Sequence, residues 1–367
     1  PHLLQKSLFL ARQQTEPDEL TVLADRLRPH QTHHGLGIRA QILAIVLQHL
    51  LRGLLWPIDL LPRIIPAAEW GMVEAGLIQR TKALNAFLDD VYAGESAVVR
   101  DGIIPGWLVK SSDGYQREAV GIPVRDATRI TVAGIDIVRD DLGVYRVLED
   151  NLRVPSGISY VVENRAAMRR AFPLLFGRYS IRPVDNYGSM LLEALRFQAP
   201  VGVDNPTVVV LTPGPFNSAY FEHSFLARQM GIELVEGRDL FVSDGSVYMR
   251  TTKGPRRVDV IYRRIDDDFI DPEVFREDSV LGVPGIMRAW RSGNLAIANA
   301  PGSGVADDKV VYAFVPEIIR YYLGEEPIIE NVPSSLASTD GQRSANGCRS
   351  LSVTALIGTM PQVLESP

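Results

Sequence analysis

The chain has 367 residues, of which 46% are hydrophobic and 22% charged, and a formal net charge of -6. This length predicts roughly two or three packed domains, and the composition excludes a disordered tail, a collagen-like repeat and a disulfide-stapled module. An acidic chain is a poor candidate for nonspecific nucleic-acid binding, so we expect no nucleic-acid partner. The single cysteine, Cys348, has no partner within the chain, which indicates a cytoplasmic setting.

The N-terminal segment, residues 1–55, is predicted to be helical, with a Thr-Glu-Pro-Asp start signal at residues 15–18. Its Leu-rich stretch at residues 37–55 contains two arginines, two glutamines and a histidine. Such polar groups are costly in lipid, so we expect a buried or amphipathic helix and no membrane partner. We interpret the histidines at residues 30–34 as part of a polar loop, because no carboxylate or thiol is spaced to complete a metal site.

The second region, residues 56–200, opens on a proline-stiffened extended stretch at residues 57–63. Apolar residues then recur at helical spacing and predict a helix over residues 67–92. Alternating apolar residues predict a β-hairpin over residues 128–149, with its turn at residues 140–143.

The third region, residues 201–333, predicts α/β architecture. A strand at residues 207–211, a helix at residues 218–230 and a strand at residues 232–235 form a β-α-β unit with a parallel strand pair. A further strand is expected at residues 258–262.

The strongest chemical constellation consists of Asp136, Glu149 and Asn151. Glu149 and Asn151 are two residues apart on a strand, so their side chains face the same way, whereas Asp150 points to the other face. If the hairpin closes through a four-residue turn, Glu149 is the diagonal neighbour of Asp136, about 7–8 Å away. Hard oxygen ligands at that distance suit Mg²⁺ held jointly with substrate phosphates. An ordinary polar sheet face is the alternative. A three-residue bulged turn would change which side chains of the two strands share a face.

Four arginines suited to an anionic substrate follow this constellation along the chain: Arg153, Arg165, Arg169 and Arg170. Arginines beside a carboxylate–metal site are what a phosphate or carboxylate substrate needs. For Arg169 and Arg170, a solvated helix face is the alternative. Glu222 and His223 open a helix and are candidates for proton transfer, with a helix-start role as the alternative.

Five long and uncommon strings resemble the circularly permuted type 2 ATP-grasp family. They occupy residues 56–66, 147–157, 217–223, 260–269 and 304–309. The resemblance covers roughly residues 56–333. The family is similar to glutathionylspermidine synthetases, which join a carboxylate to an amine using ATP.

The resemblance implies a circularly permuted, ATP-grasp-like α/β fold with a pre-ATP-grasp-like substrate lobe at residues 201–333. In those enzymes an Asp and a Glu-x-Asn element hold Mg²⁺, and the matching residues here are Asp136, Glu149 and Asn151. ATP is the implied co-substrate, and the implied partner is a small molecule or peptide with a carboxylate and an amine. ATP-grasp ligases phosphorylate the carboxylate, and the amine then attacks the resulting acylphosphate.

Positioned arginines and phosphate contacts are required for that chemistry. Arg263 is one candidate for such a contact, and a structural salt bridge to residues 266–268 is the alternative. The candidate catalytic residues are Arg153, Arg165 and Arg263, and the candidate cofactor-binding residues are Ser156, Gly157 and Asn164.

The sequence departs from the family pattern at two places. Residues 31–55 are Leu-rich where the family has an extended segment, and residues 334–367 show neither the strand-borne lysine nor the Gly-rich loop of a nucleotide-binding lobe. We therefore expect an incomplete nucleotide lobe, through truncation or a frameshift at both ends, and an irregular tail over residues 334–367. The glycine-rich residues 301–304 do not fit a phosphate loop, and we interpret them as a flexible turn near the substrate site.

The functional hypothesis is an ATP-dependent carboxylate–amine ligase whose activity in this copy is left open. The alternative is a non-catalytic remnant or binding module that retains the substrate lobe. A dinucleotide-dependent oxidoreductase is disfavoured because the glycine fingerprint is absent. The identity of the substrates and the oligomeric state are not determined by the sequence.

Overall fold

The computed structural model describes residues 64–334 and, for the backbone only, residues 350–356. All of them belong to one unit of the chain, Arg63–Pro367. The predictions for residues 1–55 and for the extended stretch at residues 57–63 lie outside the described residues. Within the described part, no helix is both long and apolar enough to cross a membrane.

The described chain contains helices, strands and short 3₁₀ turns. The α-helices are α1 (Ala67–Ala93), α2 (Ala97–Arg100), α3 (Gly106–Lys110), α4 (Ile158–Ala171), α5 (Pro173–Arg178), α6 (Tyr187–Phe197), α7 (Tyr220–Met230), α8 (Asp267–Ile270), α9 (Ile286–Arg291), α10 (Lys309–Ala313) and α11 (Val315–Leu323). The strands are β1 (Val132–Arg139), β2 (Tyr145–Asn151), β3 (Val208–Leu211), β4 (Glu233–Val235), β5 (Leu240–Ser243), β6 (Ser246–Met249), β7 (Arg256–Val258), β8 (Val260–Arg263), β9 (Ala296–Ala298) and β10 (Ser350–Leu356).

The long helix α1 agrees with the prediction from its apolar spacing. It follows Pro66 and ends at Gly94, which adopts the left-handed conformation (φ 92°) that glycine permits at a helix end. Its buried face also carries Arg80, whose guanidinium lies 2.6 Å from the Asp150 carboxylate. A buried charge needs such a partner, and this pair joins α1 to the back of the hairpin.

The predicted hairpin is present as β1 and β2, in a three-stranded antiparallel sheet of order β10-β1-β2. The third strand, β10, lies in the segment expected to be irregular, so the structure differs from that expectation over these seven residues. Pairing with β1 satisfies backbone groups along an otherwise open edge of the hairpin, which favours a strand here.

A four-stranded parallel sheet of order β4-β3-β8-β9 contains the predicted β-α-β unit. The single strand expected at residues 258–262 is instead two strands, β7 and β8, which belong to different sheets. Asp259 separates them, and its carboxylate accepts the N–H of Thr207 (2.9 Å). Strand β7 closes a small antiparallel sheet of order β5-β6-β7.

Two hydrophobic clusters pack against opposite faces of the parallel sheet, because successive residues of a strand point to opposite sides. The first cluster includes Leu84 of α1, Ile137 of β1, Val209 of β3 and Ile318 of α11. The second includes Leu191 of α6, Val210 of β3, Phe225 of α7 and Tyr262 of β8. Helix α6 therefore packs against strands beyond residue 200, and the domain boundary predicted there stays a prediction.

The glycine-rich residues 301–304 are buried. They lead into a 3₁₀ turn, Ser303–Val305, and a Cβ on Gly304 would lie 2.6 Å from Cδ of Arg153. The interpretation as a flexible turn is therefore wrong, because the turn is packed beneath Arg153, although its expected place near the site agrees with the structure.

Candidate functional site

The turn of the hairpin sets the register of the strands that carry the predicted metal ligands. Asp140 donates its N–H to the Val144 carbonyl (2.9 Å) and accepts the N–H of Gly143 (2.9 Å), and Gly143 is left-handed at φ 79°. This is the bulged three-residue turn common in hairpins. It pairs Arg139 with Tyr145, so the register expected from a four-residue turn is wrong by one residue.

A second irregularity, a bulge in β2, corrects the side-chain facing that the turn changes. Ile137 lies opposite Val147. The preceding residue of β1, Asp136, lies opposite Glu149, so Leu148 is an extra residue on β2. Such a bulge moves every following side chain to the other face of the sheet. Glu149 therefore lies directly across from Asp136 instead of diagonally.

The side chains of Asp136, Glu149 and Asn151 come together on one face of the hairpin. Both Asp136 and Asn151 are within hydrogen-bonding reach of the Glu149 carboxylate. Directly opposed residues have Cβ atoms about 4.5–5.5 Å apart, closer than the diagonal pair expected from the sequence. Asp150 points to the opposite face, as predicted, where it is paired with Arg80.

Lys309 places a positive charge beside these carboxylates. Its Nζ lies 2.6 Å from Oε2 of Glu149, and its side chain is 80% exposed. The pKa of Glu149 is lowered, chiefly by the hydrogen bond from Lys309 and less by Asn151 and Asp136, against the opposing effect of burial. Among the described residues, no three His, Cys, Asp or Glu side chains form a possible metal group. The predicted set therefore depends on the Asn151 amide as its third ligand.

A pocket of about 280 Å³ opens beside these ligands. The segment that follows β2 folds back over β1 to form it, and a Cβ at Gly134 would lie 2.8 Å from Cβ of Pro155. Only glycine leaves room for this approach. The predicted site residues that line the pocket are Asp136, Asn151, Arg153 and Ser156.

Arg153 is held on the pocket wall by Asp307. The Arg153 Nε lies 2.8 Å from Oδ2 of Asp307, and the Arg153 side chain is 45% exposed. Burial acts to lower the pKa of Arg153, but the Asp307 hydrogen bond and the attraction of Asp266 and Asp267 raise it overall. Asp307 also accepts the N–H of Leu152. The guanidinium is therefore charged, fixed in place and open to a ligand.

The N-terminus of α4 is filled by a carboxylate of the protein itself. Oε2 of Glu222 accepts the N–H of Gly157 (2.7 Å) and both the N–H (3.1 Å) and hydroxyl (2.9 Å) of Ser159. A carboxylate at this position satisfies free N–H groups and interacts favourably with the helix dipole. The N–H of Gly157, which we expected to contact the cofactor, is therefore engaged, whereas the adjacent Ser156 is exposed.

Glu222 belongs to a buried polar cluster beneath the pocket. Nη2 of Arg264 lies 3.5 Å from Oε1 of Glu222 and 3.4 Å from the carbonyl of Val154. Arg264 and Glu222 thus hold the backbone that follows β2, at Val154 and Gly157 respectively. His223 lies beside them, with Nδ1 2.9 Å from Oγ1 of Thr212, and burial and the Arg264 charge lower its pKa to about 3. A neutral buried imidazole and a fully engaged carboxylate favour the structural alternative over proton transfer.

Arg263 supports the site from the core. It is fully buried, donates to the carbonyl of Asn299 (2.7 Å) and pairs with Asp267 (2.7 Å). The Asn299 side chain in turn forms hydrogen bonds with the backbone of Val132, the first residue of β1, and with the carbonyl of Leu152, which follows β2. This is the structural pairing named as the alternative, and a catalytic role for Arg263 stays a prediction.

Two further predicted residues, Asn164 and Arg165, lie on α4. Arg165 donates to the carbonyl of Arg182 (2.6 Å), and burial lowers its pKa. Asn164 is six residues from the start of α4, about 9 Å along the axis. Neither is among the residues described as lining the pocket. Arg169 and Arg170 are exposed, which favours the solvated helix face.

Sequence reasoning missed Lys309 as a contact of the predicted ligands, and Asp307 and Asn299 as supports of the pocket. The contact between Lys309 and Glu149 joins residues 160 positions apart, so no local spacing reveals it. The family-like string at residues 304–309 was a signal for Asp307 and Lys309, whereas no local pattern singled out Asn299.

The arrangement combines two chemical capacities. Two opposed carboxylates and an amide oxygen can bind a hard divalent cation. A fixed guanidinium on the adjacent pocket wall can bind a phosphate or carboxylate.

Comparison with known proteins identifies the family to which this fold belongs. Residues 62–350 match the family model described as a circularly permuted ATPgrasp. The chain therefore belongs to the circularly permuted ATP-grasp family, and its mixed α/β fold is ATP-grasp-like. The family resemblance of the motifs is confirmed.

Relatives share much of this chain but are longer than it. An uncharacterized protein of Synechocystis sp. is 59% identical over 290 residues, which are 79% of this chain and 60% of that protein. An uncharacterized protein of Mycobacterium tuberculosis is 58% identical over 288 residues, 78% of this chain and 52% of that protein. A Frankia alni protein provisionally named glutamate–cysteine ligase 2-3 is 48% identical over 280 residues, 76% of this chain and 32% of that protein. The chain thus spans 60% or less of the length of these relatives.

A solved structure of a glutathione synthetase-like effector from Globodera pallida, in its apo form, shares 16% sequence identity with this chain. The superposition has a TM-score of 0.42 and covers 72% of this chain and 62% of the effector.

Proposed function

We propose that this chain acts in ATP-dependent ligation of a carboxylate to an amine, with Mg²⁺ held by Asp136, Glu149 and Asn151. The observation that carries the proposal is the direct opposition of Asp136 and Glu149 across the hairpin. Family membership and the ligase name of the Frankia alni relative support the reaction class.

The donor set fits Mg²⁺. Two carboxylates and one amide supply hard oxygen ligands, and substrate phosphates and water complete the shell in sites of this kind. The Lys309 ammonium, 2.6 Å from Glu149, supports the inference that the site attracts positive charge. When bound, the ion would neutralise charge on the phosphates of ATP.

The proposed reaction has two steps. A carboxylate oxygen of the substrate attacks the γ-phosphorus of ATP, the bond to the bridging oxygen breaks, and ADP leaves with that electron pair. The amine nitrogen then attacks the acyl carbon, a C–N bond forms, and the C–O bond to phosphate breaks. The phosphate leaves with that electron pair and takes up the proton lost by the amine. Carboxylate, amine and ATP thus give amide, ADP and inorganic phosphate.

Arg153 and Ser156 are the groups of this chain best placed to bind the anionic reactant. Arg153 is charged, partly exposed and oriented by Asp307, and a pre-oriented cation stabilises developing negative charge without reorganisation. The exposed Ser156 can donate a hydrogen bond on the same pocket wall. Arg263 contributes by holding the backbone to which this wall is attached.

Calorimetric titration with Mg²⁺ tests the metal site. We expect Glu149→Gln to weaken Mg²⁺ binding by at least about tenfold, because affinity depends on the charge of the ligands. Glu277→Gln removes an equal charge from an exposed position and serves as the matched control, with unchanged Mg²⁺ affinity. Equal Mg²⁺ affinity in the wild type and Glu149→Gln contradicts the metal assignment.

Titration with ATP in the presence of Mg²⁺ tests the reaction. We expect ATP binding, and ADP formation that requires both a carboxylate and an amine substrate. No detectable binding at millimolar ATP would sink the ligase proposal for this chain and favour the non-catalytic binding module.

A further inference from the structure

Lys309 and a divalent cation compete for the same carboxylate. The Lys309 ammonium lies 2.6 Å from Oε2 of Glu149, and Asp136 lies directly across the hairpin from Glu149. Two opposed carboxylates repel each other unless a cation lies between or beside them. In the described structure, the Lys309 ammonium lies beside one member of this pair, Glu149.

The position of Lys309 is built into the fold. It is the first residue of α10, where the Asp308 side chain accepts the N–H of Val310 (2.8 Å) as an N-cap. One residue earlier, Asp307 binds Arg153 and the N–H of Leu152. The backbone of Lys309 is therefore anchored beside the end of β2, while its side chain is 80% exposed and free to move away.

We propose that Lys309 is the resident counter-ion of the Asp136–Glu149 pair and that a divalent cation displaces it. The inference rests on the metal site of the proposed function. Without metal, the ammonium offsets the repulsion between the carboxylates. When a divalent cation binds, the repulsion between like charges drives the ammonium from Glu149 into solvent.

This exchange also selects among cations. A monovalent ion carries the same charge as the ammonium, so it gains nothing from the carboxylates that Lys309 does not already gain. A divalent ion interacts with both carboxylates twice as strongly and can displace the lysine. Lys309 therefore disfavours Na⁺ and K⁺ at this site and lowers the apparent affinity for Mg²⁺.

The first test compares the Mg²⁺ affinities of charge variants by calorimetry. Lys309→Gln should bind Mg²⁺ about two- to fivefold more tightly, the factor that corresponds to losing one exposed ion pair. Lys309→Arg keeps the charge and should stay within about twofold of the wild type. Lys110→Gln removes the same charge from the exposed end of α3 and should have no effect.

The second test observes the displacement itself. The chain has only five lysines, at residues 6, 82, 110, 253 and 309, so ¹³C-methylated lysine signals are few enough to resolve by NMR. The signal lost in Lys309→Arg identifies Lys309. On titration with Mg²⁺ this signal should shift with the calorimetric Kd, while the signal of Lys110 stays in place.

The outcomes separate this inference from the metal site. If Mg²⁺ binds the wild type and Lys309→Gln equally, and the Lys309 signal does not move, the displacement is refuted while the metal site stands. If neither protein binds Mg²⁺, the metal site itself is refuted, and the displacement with it.

Discussion

Acidification should destabilise this protein through His223. The His223 side chain is 2% exposed, and its Nδ1 lies 2.9 Å from Oγ1 of Thr212. Burial, and to a smaller extent the positive charge of Arg264, lower the imidazole pKa from 6.5 to about 3. The folded state therefore keeps this ring neutral at pH values where the unfolded chain binds a proton.

The sign and size of the effect follow from proton linkage. Below pH 6.5 the unfolded chain binds more protons than the folded one, so the free energy of unfolding decreases as the pH falls. One pH unit corresponds to about 1.4 kcal/mol, so the loss between pH 7 and pH 5 is about 2 kcal/mol. The loss continues until the pH reaches the pKa of the folded state, about 3.

Equilibrium urea unfolding at pH 7 and pH 5, for the wild type and for His223→Asn, measures this contribution. Asparagine places a polar atom near the position of Nδ1 and removes the titration. The wild type should lose about 2 kcal/mol more than the variant between the two pH values. The comparison is of pH dependence, so any constant cost of the substitution cancels. An equal loss in both proteins refutes the account of a buried neutral imidazole.

Two further substitutions test the framework of the site by urea unfolding at pH 7. Glu222→Gln should destabilise the fold by about 2 kcal/mol, because the charged cap that accepts from Gly157 and Ser159 becomes neutral. Gly114→Ala should destabilise it by about 3 kcal/mol or prevent folding, because the new Cβ would lie 2.1 Å from the backbone of Gly304.

Matched controls accompany both substitutions. Glu193→Gln, at an exposed position on α6, should change the free energy of unfolding by less than about 0.5 kcal/mol. Gly71→Ala lies inside α1 with open space around it and should stabilise the fold by about 0.5–1 kcal/mol. Equal effects of Glu222→Gln and Glu193→Gln contradict the capping role, and a neutral Gly114→Ala contradicts the close backbone approach.

Features with a local physical signal were predictable from the sequence. Helix α1 has apolar residues at helical spacing over its 27 residues, and the β-α-β unit combines a buried-type strand with a helix that ends at Gly231. The facing of Glu149 and Asn151, with Asp150 on the other side, follows from the two-residue period of a strand.

The register of the hairpin was predicted only in part. The bulged turn shifted the pairing by one residue, and the bulge at Leu148 shifted it by one more in the same direction, which returned the side chains to the expected face. Turn and bulge each depend on which backbone hydrogen bonds the packed sheet permits, so their combined effect is not encoded in residue spacing. Asp136 and Glu149 therefore lie on the same face of the hairpin, as expected, but directly opposite each other instead of diagonally.

The sequence by itself determined the family, the type of most elements and the identity of the metal-binding candidates, because motifs and periodicity are local properties of the chain. Only the tertiary structure decided which groups surround them. It placed Lys309 on Glu149 and Asp307 on Arg153, and it used Glu222 to cap α4. These contacts join residues far apart in the chain, and their energies depend on burial and distance, which exist only once the chain has folded.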